Sequence, residues 1–283
     1  MPNIFILPSV TGKAKKSRME IIEKYDLEKI IRSDLIKILN TDLIYKYVDF
    51  DTGLNKIIKE NSLKFTNPAD FNDPFDCNEN LLKHDNNEEL INNVFNQIYQ
   101  NTPRSVRRKV IRQLKNPDSY SEILKKERER FRLSCFSEKY NEVLMWSYYA
   151  NKHHGICIGF DFPHKYEDHF ILCHVKYLNK IIPLDGNADL LRVILYWLTT
   201  KSIRWEYENE IRAISNNKQE IIYFDKKFVK EIIFGCKMTN QKIETALTEI
   251  KSFGYDLNNI RFKKMEISRE SFLLKERIIK PSL

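Results

Sequence analysis

From Ile156 to Phe162 the chain alternates: Ile156, Ile158, Phe160 and Phe162 stand at every second position, with Cys157, Gly159 and Asp161 between them. A two-residue period sends successive side chains to opposite faces, so the run predicts a half-buried strand, reached through a turn at Gly155. Such a strand needs a sheet to pair with and a second layer to cover its apolar face. Short β-prone runs at 43–48, 63–66, 133–136, 212–215, 220–224 and 229–235 supply the sheet. Helical spacing supplies the layer. It recurs over 18–40, through Ile21, Ile22, Tyr25, Ile30, Leu35 and Ile38, and over 51–60, where Asp51 or Thr52 stands at the cap position. It returns at 142–150, 190–200 and 239–253. The ending from Arg261 is basic and fits neither period.

The expected fold is therefore α+β. It has an N-terminal helical extension over 1–41, one domain over 42–260 and a basic segment over 261–283. Within the domain, a charged helical insertion fills about 84–131, broken at Pro103 and Pro117. Between 101 and 132 it holds eleven Lys/Arg against four Asp/Glu. That pattern reads either as a solvated face or as a platform for RNA or DNA. The whole chain carries a formal charge of +8, which suits a polyanion, an anionic cofactor or plain solubility.

Composition removes several classes. With 42% hydrophobic residues and 12% aromatics, the 283 residues can bury a core. Seven glycines are few, and neither GxGxxG nor GxxxxGK[ST] occurs, which argues against Rossmann and P-loop nucleotide sites. The five cysteines are widely spaced and never form a CxxC pair, so reduced buried thiols are expected. His153, His154 and Cys157 make a poor zinc set, and the two histidines, when protonated, suit the C-terminus of the preceding helix. No window approaches the roughly 20 apolar residues that span a bilayer. The expectation is a cytoplasmic protein without a membrane partner.

Three separated segments carry the chemistry: 45–76, 134–162 and 201–214. Their phrases are Tyr45-Lys46-Tyr47, Phe71-Asn72-Asp73-Pro74-Phe75-Asp76, Cys135-Phe136-Ser137-Glu138, Leu144-Met145-Trp146-Ser147-Tyr148-Tyr149-Ala150, His154-Gly155-Ile156-Cys157 and Trp205-Glu206-Tyr207-Glu208-Asn209-Glu210-Ile211-Arg212. In order and wording they closely resemble the bacterial proteins grouped as domain-of-unknown-function family 2971, over roughly two thirds of the chain, from about Leu43 to Gly235. More remotely, the layout resembles the ADP-ribosyltransferase superfamily and its split sheet. In that superfamily a polar residue on the first strand, an aromatic middle segment and a late ExE strand build the site. Here Lys46 or Tyr47 fills the first role, Tyr148 or Tyr149 the second, and Glu208 with Glu210 the third. Tyr-Lys-Tyr replaces the usual histidine or arginine, and no Ser-Thr-Ser triplet is present.

The resemblance implies NAD as substrate, no metal, and a place among bacterial toxins or phage-defence effectors with an antitoxin or another partner protein. Its chemistry asks for a carboxylate near an oxocarbenium-like ribose, an electron-rich ring for the nicotinamide and a cation for the diphosphate. The candidate reacting groups are Glu210 and Glu208. The candidate cofactor contacts are Tyr45, Lys46, Tyr47, Asn72, Trp146, Tyr148, Tyr149 and Arg212. If 205–212 is a helix, Glu208 and Arg212 form an ordinary i,i+4 pair; if it is a strand, Glu206, Glu208, Glu210 and Arg212 share one face. Asp73 and Asp76 read as turn residues that shape their loop, and Trp146 also reads as core. Two other classes remain open. One is a metal-dependent nuclease using Asp73, Asp76, Glu208 and Glu210; the other is a non-catalytic nucleotide- or partner-binding module.

Overall fold

The computed structural model describes residues 43–82, 103–163, 165–166, 169–182 and 190–281. The helix expected over 18–40 and the part of the charged insertion before 103 lie outside the described residues. The fold is α+β. Its first strands in chain order are β1 (Ile44–Val48), β2 (Ser62–Lys64), β3 (Arg132–Ser137), β4 (Ile156–Phe160), β5 (Lys165–Tyr166) and β6 (Phe170–His174). Then come β7 (Lys176–Leu178), β8 (Thr200–Ser202), β9 (Glu210–Ser215), β10 (Ile221–Tyr223), β11 (Val229–Phe234), β12 (Arg261–Ile267) and β13 (Leu274–Ile279). The α-helices are α1 (Arg104–Leu114), α2 (Pro117–Arg128), α3 (Val143–Tyr148), α4 (Leu190–Thr199) and α5 (Asn240–Ser252). None of the helices among the described residues is long and apolar enough to cross a membrane.

The chain divides into two compact units. Among the described residues the first holds 67–82, 103–132, 174–182 and 190–203, and the second holds the rest. In the first unit, Leu81, Leu82, Tyr196 and Trp197 form a small core, and the Trp197 indole donates to the Asn78 carbonyl at 3.0 Å. Glu79 pairs with Lys125 at 3.3 Å and Arg128 at 3.6 Å, tying its turn to α2. Pro103 and Pro117 stand at the starts of α1 and α2, as their locked φ favours.

The second unit is built on a mixed sheet in the order β13-β12-β11-β4-β1-β3-β9-β6-β5. All five residues of β4 are buried, not every second one. The strand pairs on both sides, with β1 and β11, and each face carries its own apolar cluster. One face, with Ile44, Phe136, Ile158 and Ile232, lies under Leu54, Ile57 and Ile58 and under Ile243, Ala246, Leu247 and Ile250 of α5. The opposite face, with Tyr45, Tyr47, Cys157 and Ile233, lies under Met145 and Trp146 of α3.

The basic ending from Arg261 joins this sheet: β12 runs parallel to β11, and β13 antiparallel to β12. Its cations are neutralised across the pair, Arg277 by Glu266 at 2.6 Å and Lys263 by Glu276 at 2.9 Å. These strands thus belong to the second unit, not to a separate tail.

The helical stretch expected over 51–60 is present, wound as a π-helix at Thr52–Lys59. Asp51 stands at its N-cap as expected, but its side chain makes no capping bond. Asp49 accepts the Thr52 amide at 2.9 Å and the Thr52 hydroxyl at 2.6 Å, while Asp51 accepts from Asn55 at 2.7 Å. Burial would raise the Asp49 carboxyl, but the bonds from Thr52 outweigh it and hold the group below its usual value. Asp49→Ala is expected to lower stability by about 1 kcal/mol at neutral pH. A depressed carboxylate stabilises above its unfolded pKa and ceases to as pH falls through its folded pKa. The difference from wild type should therefore shrink in acid, which urea titrations at several pH values will read.

Candidate functional site

The face each β1 side chain takes decides which candidates meet. Tyr47 pairs with Cys157 and Lys46 with Ile158, and Cys157 and Ile158 belong to clusters on opposite faces. Alternation along β1 thus sends Tyr45 and Tyr47 to the α3 side and Lys46 to the α5 side. There the Lys46 ammonium donates to Ser134 Oγ and to the Cys135 carbonyl, each at 2.9 Å, and lies 5.1 Å from the centre of the Phe136 ring. Burial lowers its pKa.

The segment 203–215 is neither one helix nor one strand. A 3-10 turn runs over Ile203–Glu208, Asn209 takes a left-handed φ of 43°, and β9 begins at Glu210. Asparagine tolerates that conformation, and its backbone is held there: Asn209 N donates to the Glu206 carbonyl at 3.1 Å, and Glu138 N donates to the Asn209 carbonyl at 2.9 Å. The break sets Glu208 apart from the strand and leaves Glu210 and Arg212 on one face of it. Ile211 and Ala213 turn to the α5 side, so Glu210 and Arg212 turn to the α3 side.

There the Arg212 guanidinium holds both Glu210 oxygens, Nε to Oε1 at 2.8 Å and Nη2 to Oε2 at 3.2 Å. Arg212 is 0% exposed and Glu210 3%, so this is a desolvated two-pronged ion pair. The Cys135 thiol bonds Glu210, and its pKa is raised, first by burial and then by the Glu210 charge. A thiol so raised stays protonated at neutral pH. Glu208, also buried, accepts the Tyr149 hydroxyl at 2.7 Å, and its carbonyl accepts the Ser137 hydroxyl at 2.6 Å. Tyr149 itself is partly exposed.

The structure therefore brings Tyr149, Glu208, Glu210 and Arg212 to the α3 side of the sheet, together with Ser137 and Cys135, and leaves Lys46 on the other. The remaining candidates have other surroundings. Trp146 is fully buried, edge-on to Tyr47 with ring centres 5.3 Å apart, and its indole donates to the Tyr140 carbonyl at 2.7 Å. The Tyr47 hydroxyl donates to the Lys139 carbonyl at 2.8 Å. Tyr148 is 67% exposed. Asn72 is exposed and lies in the first unit. In that same loop Asp73 accepts the Phe75 amide at 2.9 Å, the turn bond its position predicts, and Asp76 lies 3.8 Å from the Lys201 ammonium. Behind α3, backbone amides close the helix: Lys152 N donates to the Ser147 carbonyl and His153 N to the Trp146 carbonyl. Burial lowers the pKa of His153, and Lys237 and His154 lower it further, so its charge is not what caps the helix.

A second polar group, missed from sequence, centres on Glu231. This buried carboxylate accepts the Tyr45 hydroxyl at 3.2 Å and pairs with Arg261 at 2.7 Å and Lys263 at 3.3 Å. Gly159 makes the Tyr45 contact possible, because a Cβ there would meet Tyr45 and Glu231 at 3.0 Å. The sequence signal was a single glutamate inside the apolar run Val229–Phe234.

No curated protein and no solved structure matches the chain. A family model described as "Protein of unknown function (DUF2971)" matches residues 145–213. The matched span runs from α3 through β4 to β9, so it holds Trp146, Tyr149, Glu208, Glu210 and Arg212. Over these residues the chain is similar to that family.

Proposed function

We propose that the protein is an ADP-ribosyltransferase-like enzyme that uses NAD as substrate, with Glu208 as the carboxylate facing the ribose. The observation that carries this reading is the 2.7 Å bond from the partly exposed Tyr149 hydroxyl to the buried Glu208 carboxylate. It joins the aromatic segment to the ExE segment, as the chemistry requires. In the reaction, the bond between ribose C1′ and nicotinamide breaks, nicotinamide leaves neutral, and an acceptor nucleophile bonds C1′ as it loses a proton. A fixed carboxylate stabilises the positive charge that develops on the ribose and accepts its 2′-hydroxyl. The Tyr149 ring offers a π face to the cationic nicotinamide. Glu210 and Arg212, committed to each other, position β9. Lys46, on the opposite face, takes no part.

The acceptor is a protein or a nucleic acid, and the setting is a bacterial toxin or defence effector in the cytoplasm, restrained by an antitoxin or another partner. The nuclease reading has less behind it. Arg212 bonds both Glu210 oxygens, and among the described residues no three potential ligands are grouped to hold a metal ion.

The test incubates purified protein with labelled NAD and mixed protein, RNA and DNA acceptors. Transfer or NAD cleavage is expected, and Glu208→Gln should lower it by about 10²–10³-fold while NAD binding and the fold persist. Binding without turnover in both proteins would assign a non-catalytic nucleotide-binding module. Absence of transfer, cleavage and binding sinks the proposal.

A further inference from the structure

The helix α1 holds Arg104, Arg107, Arg108, Lys109 and Arg112 and no acidic residue. At 3.6 residues per turn, Arg104, Arg108 and Arg112 form one ridge, each step rising about 6 Å. All three are exposed, as are Lys109 and, on the same stripe, Lys115.

Ion pairing separates α1 from its neighbour. Lys125 and Arg128 of α2 pair with Glu79, and Arg130 pairs with Glu127 at 2.8 Å. Among the described residues no ion pair reaches Arg104, Arg108, Lys109 or Arg112. The excess of cations in this part of the sequence is thus concentrated on α1. Like charges four apart repel along a helix, and Arg104 also sits at the positive end of the dipole, with no side chain capping the helix start. A polyanion laid along the ridge reverses the sign of each of these effects.

The ridge also limits which polyanion fits. Single-stranded nucleic acid is held by aromatic side chains that stack on its bases, and α1 has no aromatic residue. Charge without stacking or base-edge geometry matches the phosphates of a duplex. We propose that α1 is a sequence-independent docking surface for double-stranded DNA, with Arg104, Arg108 and Arg112 against backbone phosphates. This rests on charge and exposure alone, and its test reads binding, so it stands or falls apart from the reaction proposed above.

The full chain is titrated into a labelled random-sequence DNA duplex at several salt concentrations, with anisotropy as the signal. Wild type should bind, with log K falling linearly against log salt. R104Q/R108Q/R112Q should flatten that slope by roughly 0.9 per contact removed and weaken binding at least about tenfold at low salt. The matched control is K56Q/K227Q/K275Q, which removes three exposed, ion-paired lysines in the second unit. It makes the same change in net charge and should bind like wild type. If the triple ridge variant does not fold by circular dichroism, each single substitution should still lower the slope by about 0.9. No binding by wild type overturns the proposal, as does an equal loss in ridge and control variants. Tighter binding to single-stranded DNA, duplex RNA or polyglutamate than to duplex DNA overturns it too.

Discussion

Replacing Arg212 by leucine is expected to remove about 3–5 kcal/mol of stability, because it strands the Glu210 carboxylate in a desolvated site. Arg212 is fully buried, and two of its nitrogens bond the two Glu210 oxygens. The pair itself gains little over an apolar alternative, since taking two charges out of water offsets much of their attraction. The double variant E210L/R212L should therefore recover most of the loss. Urea unfolding followed by circular dichroism measures both effects. A single variant as stable as wild type, or a double variant no better than the single, would show that the pair does not hold this part of the sheet.

Trp146→Ala should cost about 3–5 kcal/mol. The side chain is 0% exposed, packs edge-on against Tyr47 and satisfies the Tyr140 carbonyl through its indole N–H. Trp146→Phe keeps most of the ring contact and should cost less. The pair of variants separates a core role from a ligand-stacking one. A core residue lowers the unfolding midpoint in step with lost volume and leaves NAD binding by the folded fraction unchanged. A stacking residue would weaken binding while the midpoint stays in place.

Much of this architecture was legible. The period-two run at 156–162, of which β4 takes Ile156–Phe160, the late strands and the helices of α3, α4 and α5 follow from spacing alone. What spacing missed has physical causes. Cys157 and Gly159 are small and only weakly polar, so they occupy a buried second face without announcing it. The run from Arg261 reads as solvated charge because its neutralising partners, Glu231, Glu266 and Glu276, sit on or across neighbouring strands. The break at Asn209 turned the hypothetical four-residue face into one pair on β9, with Glu206 and Glu208 in the turn before it. Alternation on β1 places Lys46 opposite Tyr45 and Tyr47, so the two alternatives for the first-strand role, Lys46 and Tyr47, point to opposite faces.

The position of β1 between β3 and β4 also shapes how the protein is made. β1 leaves the ribosome long before either neighbour, and Tyr45 waits for a partner, Glu231, that lies 186 positions downstream. At about 5–20 residues per second, that interval is roughly 10–40 s. Until β3 and β4 emerge, an aromatic strand with both edges unpaired is open to other chains. Closing such distant contacts is also intrinsically slow, on the order of milliseconds to seconds once synthesis is complete. Yield in the cell should therefore respond to translation rate, temperature and chaperone supply more steeply than the stability of the finished sheet alone would suggest.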